Sequence, residues 1–331
     1  MKAAFAMRHG LPSHFFTPAQ LERLQDLVDI DTSRTWQSFD EATSAELAEI
    51  EVLITGWKAP RVNANWLAAM PQLRAVVHTA GSVKFHLPPA VWERGIVVTS
   101  AAWANAIPVA EFTLALILLA GKRVVPISRD YSRTGRYPDL PVEYPTSGNF
   151  GITVGIIGAS LIGRRVIELL RPFDVTVVVY DPYLDAFDTA ELGVESVPLP
   201  ELLARADVVS LHAPDLPSTR RMLGTSEFAR MKTGATFLNT ARQALVDQDA
   251  LLAELRTGRL NAMLDVTDPE PLGAAHELFH LPNVLVTPHV AGAHGNELFR
   301  LGASALDEVE RLVAGHTPAH PVALTALATM A

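Results

Sequence analysis

The segment Ile152–Asp181, ITVGIIGASLIGRRVIELLRPFDVTVVVYD, constrains the fold more than any other part of the chain. Thr153–Ile157 is a short β-rich run closed by Gly158. Leu161, Ile162, Val166, Leu169 and Leu170 then recur at helical spacing. Val175–Tyr180 is a continuous apolar run, the pattern of a parallel strand covered on both faces. Together they predict a strand, a turn, a helix and a second strand. Gly158 allows the tight turn, Gly163 lets the helix approach the sheet, and the helix N-terminus offers N–H groups to a pyrophosphate. Asp181 ends the second strand, where a carboxylate accepts the hydroxyls of an adenosine ribose. Taken alone, a glycine-rich turn is an ordinary β–α connection. Here strand, helix and acid stand in the order that a dinucleotide site requires. The middle glycine of the G-x-G-x-x-G pattern is replaced by Ser160, whose Cβ crowds the pyrophosphate and whose hydroxyl can donate to it. Pro182 and Tyr183 follow Asp181, with no arginine to meet a 2′-phosphate, so the expected cofactor is NAD rather than NADP.

The rest of the chain repeats the same alternation. Strands are expected at Ala3–Met7, Thr35–Phe39, Val52–Thr55, Ala75–His78 and Ile96–Thr99, separated by helices at Pro18–Val28, Ser44–Ile50, Asn63–Met70 and Pro89–Arg94. A long helix, Asn105–Leu119, carries Glu111 in an apolar run and lies between two α/β patterns as a hinge. Residues 121–150, rich in Arg, Tyr and Pro and without a clear period, read as a loop and a subunit-contact arm.

After the opening unit, further strands are expected at Asp207–His212, Ala235–Asn239, Asn261–Asp265 and Val284–Thr287, giving six in this half. Helices are expected at Ser226–Met231 and Asp247–Arg256, with helical turns at Pro200–Arg205 and Gly273–His280. A last helix, Asn296–Ala314, is long enough to return to the first domain, and the tail His316–Ala331 reads as irregular. The expected class is α/β, with two doubly wound parallel sheets.

At 331 residues the chain has room for two domains with full cores. It is 49% hydrophobic and 19% charged, with net charge −9 and no Lys/Arg tract of the kind that binds nucleic acid or an anionic membrane. Cysteine is absent, which excludes disulfides, thiolate metal sites and cysteine nucleophiles and fits a reducing, cytoplasmic setting. No metal site is expected. The longest uncharged apolar run, Phe112–Ala120, falls short of the ~18 residues a membrane span needs.

Ionisable residues follow the carboxyl ends of the last three strands: Arg242 in LNTARQALVD, Asp265 and Glu270 in LDVTDPEPL, and His289 in VTPHVAG. Each has a bland reading, as a helix-flanking charge, a turn residue or a packed histidine. Open α/β sheets bind ligands outside the carboxyl ends of their strands, however, so all are aimed at one crevice. Near the first domain's fourth strand, Ala80-Gly81-Ser82-Val83 is a turn whose backbone N–H groups can approach an anion.

These motifs resemble the D-isomer-specific 2-hydroxyacid dehydrogenase family. The matching segments are AGSV at 80–83, NAIPVAE at 105–111, the glycine-rich turn with Asp181, SLHAPDLPST at 210–219, NTAR at 239–242, DVTDPEP at 265–271 and TPHVAG at 287–292. The resemblance implies a flavodoxin-like substrate domain made of residues 1–100 and 296–331, with a Rossmann NAD-binding domain of residues 101–295 inserted between them. It implies Arg242 on the substrate carboxylate and keto oxygen, and His289 as the acid/base on that oxygen. Glu270 would hold the imidazole's other nitrogen and favour its protonated form. It implies NAD contacts from Gly158, Ser160, Leu161, Ile162, Gly163, Asp181, His212, Ala213, Pro214, Thr219, Thr240, Ala241, Arg242, Asp265, His289 and Gly292, with Asp265 facing the nicotinamide carboxamide. Trp57, Gly81, Ser82 and Val83 would complete the substrate site, and a homodimer is expected. The chain departs from the family pattern at Ser160, at Gln243 where Gly is usual, at Lys84 where Asp is usual and at Trp103 where Gly is common. With Trp57, these changes set the substrate pocket apart.

Two rival readings are a formate-dehydrogenase-like relative, which pairs its histidine with Gln rather than with an acid such as Glu270, and a non-catalytic NAD(H)-sensing corepressor module.

Overall fold

The computed structural model describes residues 1–328; Thr329–Ala331, the end of the tail read as irregular, lie outside the described residues. The chain divides into two compact units. A terminal unit comprises Met1–Asn105 and Ala293–Ala331, and a central unit comprises Ala106–Gly292.

The terminal unit is built on five parallel strands, β1 (Ala3–Ala6), β2 (Thr35–Trp36), β3 (Val52–Thr55), β4 (Ala75–His78) and β5 (Val97–Ser100), in the order β2-β1-β3-β4-β5. This is the flavodoxin-like order. Alternate residues serve opposite faces. Val52 and Ile54 enter one core with Phe5, Val77 and the helix Leu298–Val313, whereas Leu53 and Val76 enter the other with Trp36, Leu67 and Val91. Burial on both faces removes the polar alternation of a one-sided sheet, which is why these strands read as unbroken apolar runs. The helices begin where a side chain meets a free N–H. Thr17 and Gln20 form a capping box at Pro18–Leu27, Thr43 and Glu46 form another at Ser44–Glu49, and Asn63 caps Ala64–Ala69. The described tail is ordered: Val322 donates to Val98, Pro321 bridges to Thr99, and a 3₁₀ turn covers Leu324–Ala328.

The central unit holds seven parallel strands: β6 (Thr153–Ile157), β7 (Thr176–Tyr180), β8 (Glu195–Ser196), β9 (Val208–Leu211), β10 (Thr236–Asn239), β11 (Asn261–Leu264) and β12 (Val284–Val286). Their order is β12-β11-β10-β9-β6-β7-β8. The first strand, β6, therefore lies between β7 and β9, where the winding reverses and where doubly wound sheets bind nucleotides. The sheet again separates two cores: Phe237, Ala262 and Leu264 face one, and Leu238 and Met263 the other.

Four expectations need correction. The central sheet has seven strands, not six, because β8 is a two-residue edge whose side chains are both exposed and carry no apolar signal. Residues 121–150 are not one loop: helices Val124–Thr134 and Leu140–Glu143 lie within them, and neither buries a residue fully. Gly273–His280 forms only a 3₁₀ turn, Glu277–Phe279. The hinge helix spans Ala102–Gly121, with Pro108 inside it, and is long and apolar enough to cross a membrane by length and composition. Half of that window is buried within the molecule, with Ala104 in the terminal unit's core and Ala110, Ile117 and Ala120 in the central unit's.

Candidate active site

In the central unit the glycine-rich turn follows β6. Gly158 has φ +94°, and a Cβ there would lie 2.5 Å from Ala213 N, so both its backbone conformation and the neighbouring chain demand glycine. A Cβ on Gly163 would lie 2.0 Å from Gly158 O, which explains why the helix Leu161–Leu170 can start so close to the strand. Ser160 is the N-cap of that helix, its Oγ accepting from Gly163 N–H at 3.4 Å. Serine at the middle position thus caps the helix and keeps its own hydroxyl proton to give. Leu161 is exposed and Ile162 partly so at the start of the helix.

Asp181 binds this turn directly. One carboxylate oxygen accepts Ala159 N–H at 2.7 Å and the other Tyr183 N–H at 2.8 Å, leaving lone pairs on both for a ligand. The far wall comes from the loop after β9. His212 is buried, its Nε2 sharing a hydrogen bond with Ser210 Oγ at 2.8 Å while Nδ1 has no partner. Burial lowers its pKa to about 3, so the ring is neutral. Thr219 closes the loop, its hydroxyl donating to Pro214 O at 2.6 Å and accepting from Leu216 N–H at 2.9 Å. The narrow glycine cradle, the Asp181 oxygens and the helix N-terminus fit a dinucleotide.

The chemistry-bearing residues leave β10, β11 and β12. After β10, Thr240 Oγ1 meets Thr113 Oγ1 at 3.0 Å, and Ala241 N–H donates to Asn239 Oδ1 at 3.1 Å. The half-buried Arg242 donates from Nη1 to Ala241 O at 2.7 Å. Among the described residues no carboxylate pairs with it, and burial lowers its guanidinium pKa, opposed by Asp215 and Glu270. A cation held this way is prepared for an anionic ligand.

Asp265, which directly follows β11, is 2% exposed. Its Oδ1 accepts from Thr287 Oγ1 at 2.5 Å and Val290 N–H at 2.8 Å, and its Oδ2 from Ala291 N–H at 2.9 Å. Its carbonyl accepts His289 N–H at 2.9 Å. Asp265 therefore clamps the loop after β12. Within that loop His289 adopts φ +56°, a left-handed conformation that costs a non-glycine residue roughly 1–2 kcal/mol. Its Nδ1 lies 2.6 Å from Glu270 Oε1, leaving Nε2 for a substrate. Two residues before Glu270, Asp268 is held by Gln248, whose side-chain amide both donates to Asp268 O and accepts Asp268 N–H. Gly292 closes the central unit.

The structure thus joins Asp265 and Glu270 to His289, with Arg242 near enough to Glu270 to feel its charge. Sequence reasoning missed Gln248, Thr287 and Thr113, which act only through tertiary contacts.

The remaining residues belong to the terminal unit. Ser100 Oγ donates to Ala80 O and Gly81 O, fixing the 80–83 turn. Gly81 and Ser82 are partly exposed and Val83 is buried. A Cβ on Gly81 would meet nothing nearer than Asn105 Nδ2 at 4.0 Å, so that face of the turn is open. Trp57 rests on the buried Phe15, ring centroids 5.2 Å apart.

The fold and geometry of the central unit fit a dinucleotide-binding domain, and comparison with known proteins agrees. Residues 114–291 match the family model described as the D-isomer specific 2-hydroxyacid dehydrogenase NAD binding domain. The glyoxylate reductase of Aeropyrum pernix is 31% identical over 91% of each chain. The D-3-phosphoglycerate dehydrogenase of Mycobacterium tuberculosis is 34% identical over 82% of this chain but 51% of its own length, so the chain spans about half of that relative. The crystal structure of D-lactate dehydrogenase from Aquifex aeolicus, complexed with NAD and lactic acid, superposes with a TM-score of 0.70 at 26% identity, covering 95% of this chain and 96% of the other. The chain belongs to the D-isomer-specific 2-hydroxyacid dehydrogenase family, and its cofactor is NAD.

Proposed function

We propose that this protein interconverts a small 2-keto acid and a D-2-hydroxy acid, with His289 as the acid/base. The observation that carries this reading is the 2.6 Å contact of Glu270 with His289 Nδ1, beside an Arg242 that has no carboxylate partner among the described residues. Bound NADH supplies the hydride that reduces the keto carbon. Arg242 binds the substrate carboxylate and polarises the keto oxygen. His289 gives its Nε2 proton to that oxygen in reduction and takes it back in oxidation, while Glu270 keeps Nδ1 protonated and the ring oriented. In the terminal unit, the backbone N–H groups of Ser82 and Val83 can approach an anion. In the cofactor site, Asp181 receives the adenosine ribose. Ser160, Leu161 and Ile162 meet the pyrophosphate.

The same reading includes a homodimer in the cytoplasm. Exposed Tyr131, Tyr137, Val142 and Phe150 on the segment after the hinge helix support a second copy as their cover. The test is an NADH-oxidation screen of the purified protein with glyoxylate, hydroxypyruvate, pyruvate, phenylpyruvate and branched 2-keto acids, followed by the chirality of the product. Turnover yielding the D-isomer is expected. NADH binding without any turnover would leave the sensing-module reading in its place.

A further inference from the structure

We propose that Gln248 is a positioning residue for the acid–base pair: by gripping the backbone of Asp268 it holds Glu270 where its carboxylate meets His289 Nδ1. This rests on the acid–base reading of His289 above and adds to it a residue that acts only through another.

All the groups involved lie in the central unit. Glu270 stands in the segment Asp268–Pro271, which is exposed throughout. Pro269 and Pro271 have no N–H to give, and among the described residues the segment makes no backbone–backbone hydrogen bond. Apart from the Glu270–His289 contact itself, three bonds from side chains hold it. Thr267 Oγ1 donates to Pro269 O at 3.0 Å, Gln248 Oε1 accepts Asp268 N–H at 2.8 Å, and Gln248 Nε2 donates to Asp268 O. Two of the three therefore come from one residue, 20 positions earlier in the chain than the one it grips.

Gln248 suits this task because its own place is rigid. It is the first residue of the helix Gln248–Arg256, whose Ala250, Leu251, Leu252 and Leu255 are buried. The N-cap Asp247 accepts Ala250 N–H at 3.2 Å, pairs with Arg221 at 2.5 Å and donates its own N–H to Leu223 O at 2.9 Å. A half-buried amide on a packed helix thus grips both backbone polar groups of one exposed loop residue. A primary amide carries donor and acceptor side by side; glutamate would keep only the acceptor, and an apolar side chain neither. With Asp268 fixed and the φ of Pro269 locked by its ring, Glu270 has little freedom to drift. Without the grip, Thr267 alone restrains the segment. Lengthening the 2.6 Å contact of Glu270 with His289 by about 1 Å takes it beyond hydrogen-bonding range.

The test is a double-mutant cycle: kcat for reduction of the best 2-keto acid in the parent, Gln248→Ala, Glu270→Gln and the double variant, with the NADH dissociation constant of each. Gln248→Ala should lower kcat by roughly tenfold in the parent, but by less than about twofold once Glu270→Gln is present. NADH binding should stay within about threefold throughout. Equal losses in the two backgrounds, or an unchanged kcat in Gln248→Ala, would overturn the proposal. Should Gln248→Ala lose NADH binding, Gln248→Glu, which keeps the bond from Asp268 N–H, takes its place under the same criteria. If no 2-keto acid consumes NADH, the reductase reading itself has failed. The nitrogen-15 NMR signals of the His289 ring, assigned by their absence in His289→Gln, then decide this proposal. At about pH 9, where an ordinary imidazole is neutral, the Glu270 carboxylate can only accept, so the parent ring should carry its proton on Nδ1. Gln248→Ala should move a substantial share of it to Nε2, and an unmoved tautomer would refute the proposal.

Discussion

Asp265→Asn separates a clamp from a cofactor contact. In the parent, the buried carboxylate accepts Thr287 Oγ1, Val290 N–H and Ala291 N–H. Asparagine keeps one oxygen for two of these donors and turns an NH₂ toward the third. One charge-assisted bond, worth about 1.5–3 kcal/mol, is lost, and two others fall to neutral strength at about 0.5–1.5 kcal/mol each. The expected destabilisation is about 3–5 kcal/mol, a large part of the roughly 5–15 kcal/mol that holds a typical domain. The loss centres on the loop that forces His289 to φ +56°, so the imidazole should relax out of place as well. Urea unfolding measures the first effect and turnover at saturating NADH the second, and both should fall together. A stability loss below about 1 kcal/mol, with weaker NADH binding as the only functional change, would refute the clamp and make Asp265 primarily a cofactor ligand.

Other perturbations follow from the same geometry. Glu270→Gln removes the carboxylate that holds His289 Nδ1, so kcat for 2-keto acid reduction should fall by roughly tenfold or more while NADH binding is kept; an unchanged kcat would break the proposed pair. Asp181→Ser should erode a preference for NADH over NADPH expected to be at least about tenfold in the parent, and equal use by the parent protein would contradict the assignment. Buried His212 and His86 have pKa values lowered by burial to about 3 and about 4. Unfolding restores ordinary basicity, so the unfolded chain binds more protons below about pH 6.5. Stability should therefore be full above that pH and fall toward pH 4, by up to about 1.4 kcal/mol per pH unit for each ring. A flat urea midpoint between pH 7 and 4.5 would disprove this linkage.

The sheets were legible because burial on both faces writes itself as apolar runs such as Val52–Thr55 and Val208–Leu211. The glycine-rich turn was legible because backbone geometry permits nothing else at Gly158. What escaped carries little burial. β8 is an exposed two-residue edge, and Val124–Thr134 is a helix with no buried residue, so neither leaves a periodic signature. At the candidate site, residue types near strand ends pointed to Arg242, Glu270 and His289. The saturation of Asp265 by the His289 loop, the use of Ser160 as a helix cap and the grip of Gln248 on Asp268 depend on contacts between distant segments, which no local pattern encodes.

The central claim is that His289 moves a proton while NADH delivers hydride to a 2-keto acid. The most direct measurement is the kcat/KM of NADH oxidation with the best 2-keto acid, in the parent and in His289→Gln, together with the NADH dissociation constant of each. Glutamine keeps a polar side chain but cannot shuttle a proton, so kcat/KM should fall by roughly 10²–10⁴ while the NADH dissociation constant changes less than about threefold. A His289→Gln protein that retains most of its turnover would contradict the account.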